Sequence, residues 1–202
     1  MKVPHSTSGQ SLQHFSSSFR LSWCARVLRQ DGVVAYPTEA VWGLGCTPWS
    51  QNAVGKLLTL KLRSPERGVI VIGADVESLV PFIGEPVSEN VRLLKQAIAD
   101  SPGPTTWVVP AAVRVPKWVT GGYSSVALRQ TWHPPAAALC RAYGGAIISS
   151  SANRSATRPA MTAWQVRRYF GYQLDALLPG EVGLLASPTP IKDLHTGEIM
   201  RA

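Results

Sequence analysis

The spacing of apolar residues along the chain alternates between a helical period and short, fully apolar runs. Helical spacing and capping residues predict five helices, over 19–30, from a cap at Ser50 to about Leu62, from a cap at Ser88 to about Ala99, from Pro134 to Gly144, and from a cap at Thr162 to Phe170. Runs rich in Val and Ile predict strands over 33–36, 68–72, 105–109, 125–129 and 146–149. The tail, 183–201, has the pattern of two or three further short strands.

This order of elements predicts an α/β fold. Strands and helices alternate over the first two-thirds of the chain, which is typical of a sheet layered with helices. The tail adds strands without helices between them, so we expect a twisted mixed sheet flanked by helices rather than a fully parallel one. Residues 1–18 are rich in Ser, Gln and His without periodicity. They are predicted to be a flexible N-terminal extension of a single domain over 19–202.

The composition is that of a globular protein. Of the 202 residues, 45% are apolar and 16% are charged, which is unlike a disordered chain. No apolar run approaches the roughly 18 residues that a membrane span needs, and the N-terminus lacks the apolar stretch of a signal peptide. Cys24, Cys46 and Cys140 form no CxxC pair, so neither a zinc site nor a disulfide framework is expected. Reduced thiols fit a cytoplasmic location.

The net charge of +8 favours a polyanionic partner, such as a nucleotide, RNA or DNA. The positive residues are scattered rather than gathered in one run, so a solvated basic surface is an equally good interpretation. The common phosphate and metal motifs, namely Walker A, GxGxxG and HExxH, do not occur in the sequence. A nucleotide would therefore have to be held by side chains and irregular turns.

Two cations stand where the chain leaves the second predicted helix. Lys61 and Arg63 are two residues apart, and Ser64-Pro65 ends the helix after them. In an irregular segment both can converge on one phosphate group, the arginine as a fork and the lysine as a point charge. The alternative is that they only complement the dipole of the helix.

Polar groups also follow several predicted strands. The segment 149–153 offers three hydroxyls and an amide, Thr38 and Glu39 follow another strand, and Arg129 ends a third. Ligands of open α/β sheets lie at strand ends, so these groups are candidates for binding a small polar acid. We expect Glu39 to orient a cation or to take part in proton handling. The alternatives are a Ser-rich turn, a turn cap at Thr38 and a surface arginine.

Taken together, these segments resemble the signature segments of the YrdC/Sua5 family, and most closely its short single-domain bacterial members. The resemblance extends over about 19–202 and rests on 33–45, 60–63, 102–106, 126–129, 149–153, 191–193 and 199–201, which follow in family order. The chain departs from the family at Ala40, where longer members carry Thr, and near Ala156, where a Gly is usual. We expect no counterpart of the second domain of the longer members.

The resemblance implies a YrdC/RibB-like fold with a deep, basic, concave cavity. It implies synthesis of L-threonylcarbamoyl-AMP from L-threonine, bicarbonate and ATP by nucleotidyl transfer, with Mg²⁺ accompanying ATP and no metal site of the protein itself. The product would feed the t6A modification of tRNA through a downstream transferase complex, with weak tRNA or RNA binding by this chain. The implied catalytic residues are Lys61 and Arg63, the implied L-threonine ligands are Thr38, Arg129 and Thr189, and the implied ATP ligands are Lys61, Arg63, Thr106, Ser149, Ser151, Asn153 and Arg201.

Other functions remain open at this point. A non-catalytic factor on the same fold, binding double-stranded RNA or tRNA or assisting ribosome assembly, fits the basic charge, although no RNP, KH or zinc-knuckle pattern is present. A carbamoyl-phosphate-using transferase is a second alternative. The YrdC-like domains of hydrogenase-maturation proteins come with acylphosphatase and zinc-finger segments, which this sequence lacks.

Overall fold

The computed structural model describes the backbone of residues 8–201 and the side chains of residues 18–200. Six α-helices lie in this part: α1 (Ser8–Arg29), α2 (Gln51–Lys61), α3 (Val87–Ala99), α4 (Lys117–Thr120), α5 (Pro134–Tyr143) and α6 (Ala163–Phe170). Nine strands lie between and after them: β1 (Val34–Pro37), β2 (Trp42–Gly45), β3 (Ile70–Gly73), β4 (Thr106–Pro110), β5 (Ser125–Gln130), β6 (Ile147–Ser151), β7 (Ala176–Leu177), β8 (Ile191–Asp193) and β9 (Ile199–Arg201).

The strands form one mixed sheet in the order β7-β1-β2-β6-β3-β5-β4-β8-β9. Three neighbouring pairs are parallel, namely β1 with β7, β3 with β5 and β4 with β8, and the other five are antiparallel. The prediction of a mixed sheet flanked by helices is therefore confirmed. The tail supplies β8 and β9, as its pattern predicted.

Helix ends follow the capping rules in part. The Ser50 hydroxyl accepts a hydrogen bond from the Ala53 amide and starts α2, as predicted. Thr162 and Gln165 form a capping box at the start of α6. The predicted cap at Ser88 is wrong, because α3 begins at Val87 after Pro86, and the Val87 amide donates to the Glu85 carboxylate instead.

The first helix is longer than its sequence pattern indicates. It begins at Ser8 rather than at residue 19, so the predicted boundary at Ser18 falls inside α1. Apolar spacing cannot mark this first half because it is polar, and polar residues such as Gln and Ser can still continue a helix. Residues 1–7 of the predicted extension lie outside the part that the structure describes. None of the described helices is both long enough and apolar enough to cross a membrane.

The sheet separates two cores. Val34 and Tyr36 of β1 point toward α1 and α5, in a cluster with Cys24, Leu28, Leu139 and Cys140. Ala35 belongs to the opposite and larger cluster, which includes Leu57 of α2 and Val166 of α6. Alternate residues of a strand face opposite sides of a sheet, which explains why β1 contributes to both cores. Its four residues are fully or almost fully buried, as expected for a covered strand.

One ion pair shows that the sheet is strongly curved. The Glu39 carboxylate, just after β1, lies 3.6 Å from the Arg129 guanidinium of β5. Three strands, β2, β6 and β3, separate β1 from β5 in the sheet order. On a flat sheet, that separation is roughly 19 Å at about 4.8 Å per strand. The twisted sheet therefore folds one face inward, and the functional groups gather on that concave face.

Candidate functional site

A cavity of about 460 Å³ occupies the concave face. Its size lies within the range of small-molecule sites. It is lined by the β1–β2 turn, residues of β5, the end of β6, the segment after α2, and the tail around Thr189. The charged residues among the described lining are Arg63, Arg67, Arg129 and Glu39, so positive charge is in excess. The expected basic concave cavity is present.

Strand ends alone do not assemble this site. β6 runs antiparallel to β3, and β3 runs parallel to β5, so the carboxyl ends of β5 and β6 lie at opposite edges of the sheet. Arg129 reaches the cavity because it lies on the same face of β5 as Ser125 and Ala127, four and two residues earlier, respectively. Curvature of the sheet then brings it to the groups that follow β1.

Glu39 and Arg129 form a buried pair in the cavity wall. The side chains are only 7% and 9% exposed, respectively. The Thr131 hydroxyl donates to Glu39 Oε1 at 2.6 Å, and the Trp132 amide donates to the same oxygen at 3.0 Å. Burial alone raises the pKa of Glu39, but the Arg129 charge and these hydrogen bonds outweigh burial and leave the pKa below its usual range. Glu39 is thus paired with a cation, and its two predicted roles, orienting a cation and proton handling, remain predictions.

Two threonines continue this polar network. Arg129 Nη1 donates to the Thr189 hydroxyl at 2.9 Å. The hydroxyls of Thr189 and Thr106 are 3.3 Å apart, and both residues are buried. Thr189 lines the cavity, whereas Thr106 of β4 lies behind it. Thr189, which was predicted to contact L-threonine, therefore lies next to Thr106, which was predicted to contact ATP.

Lys61 is buried at the end of α2 and holds the turn after β6. Its ammonium donates to the backbone carbonyl of Ser151, to that of Asn153 at 2.9 Å, and to Asn153 Oδ1 at 3.4 Å. Burial, with the positive charge of Arg63 adding to it, lowers the pKa of Lys61 to about 8. Neither Lys61 nor Asn153 belongs to the described cavity lining.

Arg63 and Arg67 supply the cations at the other end of the cavity. The chain turns at Leu62, whose φ of 51° is left-handed, and this turn directs the segment away from the axis of α2. Arg63 Nη2 donates to the Gly68 carbonyl at 2.8 Å, which fixes the guanidinium against the cavity wall. Arg67 is exposed and also lines the cavity.

Hydroxyl groups line the wall between these cations. Ser149 and Ser151 of β6 both border the cavity, and the Ser151 hydroxyl donates to Asn153 Oδ1 at 2.6 Å. Thr38 also borders it, and its hydroxyl donates to the Val41 carbonyl at 2.7 Å, closing the β1–β2 turn. Thr38 therefore caps the turn, as the alternative interpretation predicted, and it also borders the cavity.

The cavity brings together six of the predicted site residues, namely Thr38, Arg63, Arg129, Ser149, Ser151 and Thr189. Arg201 ends β9, and its side chain lies outside the described part. Sequence reasoning missed Arg67, Tyr123 and Ser125 in the lining, and Thr131 behind it. Arg67 extends the basic segment that begins at Lys61, and Ser125 lies on the same face of the predicted strand as Arg129, because alternate strand residues share a face. Both residues could therefore have been predicted from the sequence.

Comparisons with known proteins agree with this architecture. A family model named for Sua5, YciO and YrdC, with the description "Telomere recombination", matches residues 26–202. The threonylcarbamoyl-AMP synthase of Halorhodospira halophila is 51% identical over 183 residues, which is 91% of this chain and 94% of the relative. The protein of the same name from Pseudomonas aeruginosa is 46% identical over 185 residues, covering 92% of this chain and 98% of the relative.

Solved structures show the same fold. A double variant of P. abyssi Sua5 superposes with a TM-score of 0.80 and 30% identity, covering 87% of this chain and 53% of that one. P. abyssi Sua5 complexed with L-threonine gives a TM-score of 0.78 and 29% identity, with 87% and 51% coverage. The chain thus spans about half the length of Sua5. E. coli YciO, at 21% identity and a TM-score of 0.75, shares the fold.

Proposed function

The chain belongs to the Sua5/YciO/YrdC family, and from this membership we propose that it synthesises threonylcarbamoyl-AMP from L-threonine, bicarbonate and ATP. The reaction is a nucleotidyl transfer that releases pyrophosphate. Relatives that carry the name of this synthase are similar over about nine-tenths of the chain. The product would then be used by a downstream transferase complex for the t6A modification of tRNA.

The observation that carries the proposal is the division of the cavity into two differently charged ends. One end holds Arg129 beside Glu39, and the other holds two arginines, Arg63 and Arg67. A buried guanidinium suits the carboxylate of an amino acid, which it can bind in a fork. Two arginines that border the same end of the cavity suit the more highly charged phosphates of ATP.

The chemistry requires positioning more than a nucleophile of the protein. The neutral amine of L-threonine attacks the carbon of CO₂ derived from bicarbonate, and the nitrogen loses a proton to give a carbamate; direct attack on bicarbonate gives the same carbamate with loss of water. A carbamate oxygen then attacks the α-phosphorus of ATP, and the bond to pyrophosphate breaks. Holding the two substrates in one cavity makes this attack effectively intramolecular, and Arg63 would stabilise the charge that develops on the phosphates.

Mg²⁺ would enter with ATP as part of the substrate. Among the described residues, no group of three His, Cys, Asp or Glu side chains could hold a metal ion. Glu39 is the acidic residue of the described lining, and it is already paired with Arg129. This donor set fits an ion that is coordinated mainly by phosphate oxygens and water, as Mg²⁺ commonly is in nucleotide sites.

A pyrophosphate-release assay tests the proposed activity. The pure protein is incubated with ATP, Mg²⁺, bicarbonate and L-threonine, and each component is omitted in turn. The proposal expects release that depends on both L-threonine and bicarbonate, together with an adenylate of the mass of threonylcarbamoyl-AMP. Pyrophosphate release that does not depend on L-threonine would contradict the proposal. So would the absence of pyrophosphate release from a protein that binds both ATP and L-threonine. An AMP or threonyl adduct on the protein during turnover would overturn the direct attack.

A surface beside the cavity supports weak tRNA binding by the same protein. The segment 154–174 contains four arginines and no acidic residue. Trp164 and Tyr172 are exposed there, and the Arg168 guanidinium lies 5.4 Å from the Trp164 ring centre. Exposed aromatic rings and arginines are the groups that stack on unpaired bases and contact phosphates. Affinity for tRNA should fall steeply with salt, and replacing Arg167 and Arg168 by Ala should reduce that salt dependence.

A further inference from the structure

The Glu39 carboxylate is held from a part of the chain that does not line the cavity. Thr131, one residue beyond β5, donates its hydroxyl to Glu39 Oε1 at 2.6 Å, and the next backbone amide, of Trp132, adds a bond of 3.0 Å. Thr131 is 2% exposed and is not among the described lining residues. The carboxylate is therefore fixed on one oxygen by groups that no substrate in the cavity touches.

The other oxygen of Glu39 faces Arg129. Oε2 lies 3.6 Å from Arg129 Nη2, and within the described part of the chain it accepts no hydrogen bond. Arg129 Nη1 is directed to the Thr189 hydroxyl at 2.9 Å. The guanidinium thus has one side set by a carboxylate and the other by a hydroxyl, while the residue itself borders the cavity.

An arginine in such a place needs support, because a long flexible side chain has many rotamers and a buried charge is costly when it is unpaired. Fixing the guanidinium before the substrate arrives removes an ordering cost from binding. We propose that Glu39, anchored by Thr131, is a positioning residue that holds Arg129 in the orientation that receives the carboxylate of L-threonine. This inference rests on the proposed function, and it assigns to Thr131 a role in substrate binding without substrate contact.

A proton-transfer role for Glu39 fits the site less well. An effective general base has a pKa near the working pH. The charge of Arg129 and the bonds from Thr131 and Trp132 keep the Glu39 carboxylate ionised at neutral pH and make it a weak base. An ionised, fixed carboxylate is what the orientation of a guanidinium requires.

The test compares Thr131→Val with Thr131→Ser. Valine keeps the shape of threonine but removes the hydroxyl that anchors Glu39, whereas serine keeps the hydroxyl. Calorimetry measures the Kd for L-threonine and for ATP separately, and thermal unfolding verifies that each variant is folded. We expect Thr131→Val to raise the Kd for L-threonine roughly tenfold, the size of one misplaced hydrogen bond, with the Kd for ATP within about twofold of wild type. Thr131→Ser should restore most of the L-threonine affinity.

Glu39→Gln provides a second route to the same test. It removes the negative charge beside Arg129, and it should weaken L-threonine binding at least as much as Thr131→Val. Because both changes act through Arg129, the double variant should be less impaired than the product of the two single effects. Unchanged L-threonine affinity in both single variants overturns the role of Glu39, and an equal loss of ATP affinity shows a general structural effect instead. A wild-type protein that binds no L-threonine overturns the proposed function as well.

Discussion

Lys61 and Asn153 are joined by a hydrogen bond of 2.9 Å between an ammonium group and a backbone carbonyl, across 92 residues of sequence. The same ammonium donates to the Ser151 carbonyl. The end of α2 is therefore tied to the turn that follows β6. Since Ser149 and Ser151 border the cavity, the position of this wall depends on a lysine that the described lining does not include.

Replacing Lys61 by Met should loosen this wall. Methionine keeps most of the apolar stem but removes the ammonium that the carbonyls of Ser151 and Asn153 share, so the charge-assisted hydrogen bonds between α2 and the turn after β6 are lost. We expect ATP affinity to fall by roughly tenfold or more, which corresponds to the loss of about one charge-assisted hydrogen bond. Lys95→Met is the control, because Lys95 is an exposed residue paired with Glu77 on the surface. Equal ATP affinity in Lys61→Met and wild type would contradict the role of Lys61.

The lowered pKa of Lys61 predicts opposite pH trends for ATP binding and for stability. The folded-state pKa is about 8, below the ordinary value of 10.5. Loss of the ammonium charge weakens the bonds from Lys61 to the Ser151 and Asn153 carbonyls, so ATP affinity should fall as the pH rises through about 8. The unfolded chain keeps this proton up to about 10.5, so the free energy of unfolding should rise with pH between the two values. Titration calorimetry and urea unfolding at several pH values measure the two trends, and both should flatten in Lys61→Met.

Arg63→Ala should reduce kcat/KM by roughly 10- to 150-fold, because a charge-assisted phosphate contact is worth about 1.5–3 kcal/mol. Arg63 borders the cavity and its guanidinium is fixed against Gly68. Arg114→Ala is the matched control, since Arg114 is an exposed arginine that also donates to a backbone carbonyl but lies away from the cavity. Steady-state pyrophosphate release measures both variants. An unchanged kcat/KM in folded Arg63→Ala would show that Arg63 does not contact the phosphates.

The sequence predicted the elements better than it predicted their arrangement. Helical spacing and caps located α2, α5 and α6, because each pairs an apolar face with a clear start or stop residue. β2 was missed because two of its four residues, Gly43 and Gly45, weaken the strand pattern. The reason for these glycines is tertiary: a side chain at Gly45 would meet the Ile148 carbonyl of β6.

The residue types of the site were predictable from the sequence, but the contacts between those residues were not. Hydroxyls, an amide and cations near strand ends indicated an anion site, and six of the predicted residues do border one cavity. That Arg129 would meet Glu39 depends on the curvature of the sheet, which no local pattern encodes. The part played by Thr131 depends on the same curvature, since it bonds to a residue 92 positions earlier.

The three cysteines should be unreactive in the folded protein. Burial raises the pKa of Cys24 to about 11 and that of Cys140 to about 12, and it also raises the pKa of Cys46. Since the thiolate is the reactive form, little of it is present at pH 8. Ellman's reagent should therefore modify none of the cysteines quickly in the native state and all three in denaturant. One rapid equivalent in the native protein would point to an accessible, activated thiol.

Two Gly→Ala variants should change stability in opposite directions. At Gly45 of β2, an added Cβ would lie 2.6 Å from the Ile148 carbonyl oxygen and 2.7 Å from the buried Tyr36 ring, so backbone or ring must shift. Such overpacking costs about 1–3 kcal/mol. At Gly55, an exposed position within α2, an added Cβ would meet no described atom within 4 Å, and alanine should stabilise the helix by roughly 0.5–1 kcal/mol. Urea unfolding midpoints measure both changes. A lower midpoint for Gly55→Ala would contradict the helical environment of Gly55. An unchanged midpoint for Gly45→Ala would contradict the packing of β2 against β6.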